Sequence, residues 1–401
     1  MLQFFSASTS VVNSKRAITK CLENALEGEP NLDCDLIIIY SAIGHNFKDL
    51  LTEARKLSPN ARIVGCTGAG IIGKNGPDES MKALAIMAIT GPKNEFAVAG
   101  RSTRIDTDPY LICADMAKEL KSNNPDINMI HFLPSGFLMP TDRGIEAIKS
   151  VFGTGIPIFG GISMDNSKGI NCYSFFDDQV IERGIVMVGF ADPTLKFISK
   201  VNHGFNIIEG TPFEVTRAVS GRIFELNGRP AWKVITETLG LPETTKAIEV
   251  TPIAGFAWEL PEKYQEEYAS KYLLFVSMTN NDDDSFNAAI TCKDGMNIWL
   301  TRRDEKKMFE GVDLIVKIIL DELKGKKPLA VFHADCVLRG KLSLTRILKD
   351  EIISRMQTPI FGGDNIPWLG MYSAGEFAML GGQTWVHQMS SSLFVLYREN
   401  N

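Results

Sequence analysis

The segment His333-Ala334-Asp335-Cys336-Val337-Leu338-Arg339-Gly340 gathers an imidazole, a carboxylate, a thiol and a guanidinium within a few residues. It closes an apolar run that reads as a buried strand and precedes a helix predicted over 343–356. Open α/β sheets bind ligands at this carboxyl edge, where strand-end loops and helix N-termini converge. A thiol beside Arg339 and near a helix start is expected to have a depressed pKa and some thiolate character; a buried Cys336 with a charge-paired Arg339 is the alternative. Two further predicted strand-end turns add Gly362, Gly363, Asp364 and Asn365, and then Tyr372, Ser373 and Glu376 next to Trp368. An arginine, a carboxylate, hydroxyls and close-approach glycines, Gly340 among them, suit a small polar ligand. With Arg339 on a carboxylate and Glu376 on an ammonium group, that ligand is an amino acid or a similar metabolite.

Other chemistries find less support. The histidines are His45, His131, His203, His333 and His387, no two close in sequence, so a haem site would rely on His333 or His387 as a single axial ligand. A thiol enzyme would use Cys336, with His333 or Asp335 as its base, but three residues along a strand is a poor placement for a base–thiol hydrogen bond. No G-x-S-x-G, H-E-x-x-H, P-loop or C-x-x-C motif occurs, so no catalytic or metal motif is read from the letters. Gly68-Ala69-Gly70-Ile71-Ile72-Gly73 spells a dinucleotide fingerprint, yet Lys74-Asn75-Gly76-Pro77-Asp78 follows it. That is a turn, where the pyrophosphate needs a helix N-terminus, so the segment reads as a strand-end turn. Asn280, Asp282 and Asp284 alternate like a calcium loop, but Ser285 and Thr291 stand where glycine and a bidentate Glu are required; a solvated hairpin tip is expected.

The chain has 401 residues, 44% hydrophobic and 22% charged, with a net charge of −6. These values exclude a disordered or collagen-like chain and argue against nucleic acid as a partner, since phosphate binding shows as a basic excess. Seven scattered cysteines suit a reducing compartment. The N-terminus has no signal-peptide pattern, and no apolar run approaches the ~20 residues needed to span a bilayer. No membrane contact and a cytoplasmic location are expected.

The elements that must position the candidate residues follow an α/β grammar. Strands are predicted over 35–41, 61–66 and 81–89, with helices over 14–27 and 47–57. The pattern returns with strands over 129–133, 157–161, 171–176 and 185–190 around a helix over 141–152. It returns again over 329–334, 358–363, 370–376 and 391–397 around the helix over 343–356. Pro157-Ile158-Phe159-Gly160-Gly161 and Pro359-Ile360-Phe361-Gly362-Gly363 are identical and 202 positions apart, an offset that also sets His131 on His333. This reads as an internal duplication. Between the halves, helices are predicted over 212–226 (Thr211 as cap), 229–239 and 306–323, with a strand over 248–253 and a hairpin-like pair over 272–278 and 286–292. The expected fold is α/β: two related lobes, 1–204 and 205–401, with duplicated strand–helix–strand units and mixed sheets.

With these residues laid out, the chain resembles the FIST family, sensory proteins with paired N- and C-terminal domains. The N-terminal likeness rests on Val64-Gly65-Cys66-Thr67-Gly68-Ala69-Gly70 and on Gly160-Gly161. The C-terminal one rests on Val215-Thr216-Arg217-Ala218, Leu226-Asn227-Gly228-Arg229-Pro230-Ala231, Cys336-Val337-Leu338-Arg339-Gly340, Phe361-Gly362-Gly363, Tyr372-Ser373-Ala374-Gly375-Glu376 and His387-Gln388. The resemblance implies a non-enzymatic sensor without a required cofactor. Such a sensor binds an amino acid or similar metabolite and relays occupancy to a separate partner such as a histidine kinase or a cyclic-di-GMP enzyme. For some members it implies a haem-based nitric oxide sensor. The strand around Lys271-Tyr272-Leu273-Leu274-Phe275 lacks an Arg often found there, and Phe377-Ala378-Met379 replaces a Gly/Pro-rich turn after Glu376.

Overall fold

The computed structural model describes residues 1–28, 33–104, 108–136, 140–166, 171–210, 212–288 and 290–399. Leu36–Ser41, Leu84–Thr90 and Gly184–Phe190 are buried at every position, as strands covered on both faces must be. Several helices start where a short polar side chain takes up a free backbone N–H: Asn13 accepts from Arg16, Asn46 from Asp49 and Thr345 from Leu348.

Three units of one topology make up most of the chain. The first runs strand Gln3–Thr9, helix Ser14–Ala25, strand Leu36–Ser41, helix Phe47–Leu57, strand Arg62–Thr67, hairpin Ile71–Gly73 with Gly76–Asp78, and strand Leu84–Thr90. The second repeats this order as Phe96–Ser102, Pro109–Asn123, Met129–Pro134, Asp142–Phe152, Ile158–Gly161, Tyr173–Phe176 with Gln179–Glu182, and Gly184–Phe190. The third does so as Lys196–His203, Glu305–Leu323, Ala330–Cys336, Arg346–Phe361, Trp368–Ser373, Glu376–Leu380 with Gln383–His387, and Ser390–Tyr397.

Each unit builds a six-stranded mixed sheet in the same order: first strand, last strand, central strand, its parallel partner, then a hairpin lent by another unit. The first unit's hairpin pairs with Trp368–Ser373, the second's with Arg62–Thr67, and the third's with Ile158–Gly161. The exchange is therefore cyclic. The inner faces of the three sheets share one core that includes Phe4, Tyr40, Phe159, Phe190, Phe332 and Phe394, and a helix pair covers each outer face.

Residues 205–303 are inserted into the third unit after its first strand. They carry a nine-stranded sheet with its own core around Trp232, Phe256, Phe275 and Phe286. The α/β class, mixed sheets and duplicated units are thus present, and the repetition extends to three copies. The expected lobe 1–204 holds the first two copies and the opening strand of the third; 205–401 holds the insertion and the rest of the third.

Several expected elements are corrected. Residues 212–226 form a hairpin, Phe213–Val219 with Arg222–Leu226, not a helix. Ser220 and Gly221, with φ of 48° and 87°, make the tight turn that antiparallel strands favour. The proposed cap Thr211 lies outside the described residues. Residues 248–253 begin in the short helix Ala247–Val250, and the strand follows at Ala254–Glu259. The strand Tyr272–Phe275 pairs with Ala254–Glu259, whereas Ser277–Asn280 pairs with Phe286–Ala288.

Residues 358–361 are the last turn of the helix Arg346–Phe361, closed by Gly362 in the left-handed conformation. The buried positions Ile352, Ile353, Met356 and Ile360 keep helical spacing to its end, and this outweighs Pro359. The identity with 157–161 is thus strand against helix. The true counterpart of Ile158–Gly161 is Trp368–Ser373. Gly65, Gly160 and Gly370 are equivalent, opposite Ile39, Phe132 and His333. His131 therefore corresponds to Phe332, not to His333, and a one-residue slip in a strand exchanges faces. His131 points into the shared core, stacked on Phe159 at 4.8 Å with Tyr40 Oη 2.7 Å from its Nε2. His333 faces the helix side, edge-on to Trp368.

Candidate functional site

The carboxyl ends of the three parallel strand pairs meet around one axis and are tied by backbone bonds. Ala69 N donates to Tyr372 O, Tyr372 N to Gly70 O, Met164 N to Thr67 O, and Ala374 N to Ile162 O. The Gly68–Gly73 motif is this corner: a Cβ on Gly70 would lie 2.6 Å from Glu79 Cγ. Gly68–Gly70 is a strand-end turn, as expected, and Ile71–Gly73 is the hairpin strand that pairs with Trp368–Ser373.

At the third unit's strand end, the register sets Asp335 opposite Tyr372 and Cys336 opposite Ser373. A single 3-10 turn, Val337–Arg339, swings Arg339 back over the strand end. Its Nε donates to Asp335 Oδ1 at 2.7 Å, and His333 Nε2 stands 3.5 Å from Asp335 Oδ2. Arg339 and Asp335 are each 1% exposed. Burial pushes the Asp335 carboxyl up, but Arg339 and His333 outweigh it and hold it below the usual carboxylate range. Both terminal nitrogens of Arg339, the Tyr372 hydroxyl and His333 Nδ1 are shielded from solvent with no hydrogen-bond partner. Buried polar groups are rarely left so.

Beside this cluster, where Asp335 Oδ2 and Trp368 Nε1 also lack hydrogen-bond partners, Glu376 and Glu79 are satisfied. Ser373 Oγ donates to Glu376 Oε1 at 2.8 Å and Ser390 Oγ to Oε2 at 2.7 Å. Burial raises the Glu376 carboxyl well above its ordinary value, so the group is occupied with serines and disfavours charge, contrary to the ammonium-holding role expected of it. Glu79 accepts from Lys349 Nζ at 2.7 Å and from Lys341 N, and a Cβ on Gly340 would meet its Oε1 at 2.5 Å. Gly340 is there to make room.

The structure brings Cys336, Arg339, Gly340, Tyr372, Ser373 and Glu376 to one strand end. It does not bring Gly362, Gly363, Asp364 and Asn365, which precede Trp368–Ser373 and lie at its opposite end, roughly 17 Å away at ~3.3 Å per residue. The cause is the helix continuing through 358–361. Asp364 is exposed and pairs with Lys327.

Of the two readings of Cys336, the structure favours the buried thiol with a charge-paired Arg339 over the thiolate. Cys336 is buried, and desolvation followed by the Glu376 carboxyl raises its thiol well above the ordinary value. The two histidines offered for haem are both buried, and His333 keeps one ring nitrogen, Nδ1, without a partner. His387 spends Nε2 on Ala378 O at 3.3 Å and Nδ1 on Tyr268 Oη at 3.4 Å, and His333 spends Nε2 on Ser391 Oγ at 2.9 Å.

Asp335, offered above only as a base for Cys336, is instead the residue that holds Arg339. An acidic residue inside the run Ala330–Cys336, four before an arginine, was its signal. Ser390 and Glu79 reach the cluster from 14 and 262 residues away along the chain and left none.

Family models place these features. The FIST N domain matches residues 35–229 and the FIST C domain residues 239–379. The chain belongs to the FIST family. FIST domains are sensory domains, associated with small-ligand binding in signal transduction. No curated protein matches the chain. Among solved structures, a cyanuric acid hydrolase from A. caulinodans is 9% identical, with 99% of each chain covered and a TM-score of 0.39. T. maritima PurL bound to AMPPCP is 9% identical, over 99% of this FIST chain and 72% of that one, with a TM-score of 0.22. Likeness this low carries no argument about ligand or activity. Among the described residues, no helix of this FIST protein is long and apolar enough to cross a membrane.

Proposed function

We propose that the protein senses a small carboxylate, an amino acid being the class that fits, through Arg339. It passes occupancy to a separate signalling protein such as a histidine kinase or a cyclic-di-GMP enzyme. One observation carries this reading: a guanidinium 1% exposed, held by its Nε on Asp335 and with both terminal nitrogens unpartnered, beside an unpartnered tyrosine hydroxyl. Two parallel N–H groups are what a carboxylate accepts in bidentate fashion. Arg339 and Tyr372 are buried, so a ligand reaches them only through a local opening, and this couples binding to movement. The buried, unpaired thiols suit the cytoplasm as the place of action.

The test is thermal shift and calorimetry across an amino-acid panel, with Tyr372→Phe as the diagnostic variant. Losing an unpartnered hydroxyl leaves the unliganded melting temperature within about a degree, while the affinity for the stabilising amino acid falls roughly 5–10-fold. Arg339→Lys, which keeps the charge and loses the fork, abolishes the shift. If no amino acid stabilises the protein, or Tyr372→Phe and Arg339→Lys bind as the parent does, the reading fails.

A further inference from the structure

Arg339 is followed by a connection, residues 340–345, that leads from the 3-10 turn into the helix Arg346–Phe361. Its own turns are local, with Ser343 N and Leu344 N both donating to Gly340 O. Side chains from two distant parts of the chain fasten it. Glu79 directly follows the first unit's hairpin strand Gly76–Asp78. Its two carboxylate oxygens accept from Lys341 N at 3.0 and 2.9 Å, and its carbonyl accepts from Lys341 Nζ at 3.0 Å. Arg303, at the end of the insertion's strand Asn297–Arg303, donates to Ser343 O.

The Glu79 clasp is buried. The side chains of Glu79 and Lys349 are 3% and 10% exposed, with Nζ 2.7 Å from Oε2. One carboxylate thus ties the start of the connection to the first turn of the helix behind it. Such a pair holds firmly while both partners are present and leaves a costly lone charge when one is removed. The clasp also borders the binding groups: burial, then Asp335 and Glu79, push the Tyr372 phenol up. The connection itself is lightly anchored. Lys341 is exposed and Leu342 and Ser343 are half-buried, so 341–343 can lift while Val337, Leu338 and Leu344 stay in the core.

We propose that Glu79 is the latch of the Arg339 site: release of Lys341 N and Lys349 Nζ from its carboxylate is the local opening that admits the ligand, and the clasp re-forms once the ligand is seated. This rests on the carboxylate reading above. Because Glu79 belongs to the first unit and Arg303 to the insertion, lifting the connection is felt in both, which gives occupancy a way out of a buried site.

Hydrogen exchange on the full-length, unliganded protein tests the latch without any ligand. Glu79→Gln is expected to speed exchange of the 337–345 peptide about 10-fold or more, as loss of a charged hydrogen bond implies, while Leu36–Ser41 is unchanged. Glu79→Gln combined with Lys349→Met leaves no lone charge, and covers the case in which the single variant does not fold. Tyr372→Phe leaves this exchange as in the parent, which separates latch from binding group. With the stabilising amino acid, the latch variant is expected to raise association and dissociation rates together, leaving affinity within about 3-fold, because it loosens the closed site equally with and without ligand. Unchanged exchange of 337–345 in folded variants, or unchanged rates, overturns the latch. If the parent binds no amino acid but exchange still accelerates, the latch stands and the carboxylate reading falls.

Discussion

Glu376 shows how burial decides what a side chain can do. A carboxyl with no exposure, bonded to two serine hydroxyls and unaided by a nearby cation, resists ionisation, and its pKa stands well above the unfolded value. A raised folded pKa means that its contribution to stability is whole below the unfolded pKa and is lost as pH climbs toward the folded one. Glu376→Gln cannot ionise. Urea unfolding is therefore expected to show the variant gaining stability relative to the parent as pH rises from 5 toward 8, by up to about 1.4 kcal/mol per pH unit. A difference between variant and parent that stays constant from pH 5 to pH 8 would show that no raised Glu376 pKa is linked to folding in this range. Asp335 is the opposite case: equally buried, it remains charged because Arg339 sits on it, and that difference makes one acid structural filling and the other the holder of the binding group.

At the scale of the element, the equivalent glycines Gly65, Gly160 and Gly370 let the parallel strand of each pair run close against its neighbour. A Cβ would fall 2.0 Å from Ile39 O at Gly65 and 2.5 Å from Phe132 O at Gly160, where φ is also +116°. Gly160→Ala is expected to cost 2 kcal/mol or more, roughly the sum of a strained left-handed backbone and a displaced strand. Gly155→Ala, with nothing nearer than 3.9 Å, is expected to stay within about 0.5 kcal/mol. Chemical denaturation of the two variants side by side checks this. A strand's register thus rests on one missing methyl group, and slipping it by one residue is what confuses His131 with His333.

For the whole molecule, the cyclic loan of hairpins makes the three units unfold together, around a core that all three sheets share. His131 lies in that core and His387 between hairpin and insertion. Burial lowers them to about 3 and about 4. Their depressed pKa values mean that stability is full above about 6.5 and drains as pH falls, because the unfolded chain takes up the protons first. Going from pH 7 to pH 5 is expected to cost about 2 kcal/mol for each histidine. The double variant His131→Phe with Tyr40→Phe, which removes both partners of the buried bond, should lose its share of that slope. An unchanged slope in urea titrations at the two pH values would place the acid sensitivity elsewhere.

Local features of the letters determined the α/β class, most strands of the first two units, three of their four helices (Pro109–Asn123 is the exception), and the strand end where Cys336, Arg339, Tyr372, Ser373 and Glu376 meet. Apolar runs and helical spacing act over a few residues, and backbone hydrogen bonding leaves them few options. What lay beyond them needed contacts between distant segments. The third unit's first strand, Lys196–His203, stands apart from the rest of its unit by about a hundred inserted residues, and a P-I-F-G-G identity could not say strand or helix, because Pro-Ile-Phe takes either form according to what it packs against. Likewise, the letters place a thiol near a guanidinium but not the depth of water around it. Only the closed tertiary arrangement decided that Cys336 keeps its proton, that Asp335 rather than Glu376 carries charge, and that Asp364 faces the far end of the sheet, because desolvation and pairing are properties of the neighbours that folding brings in.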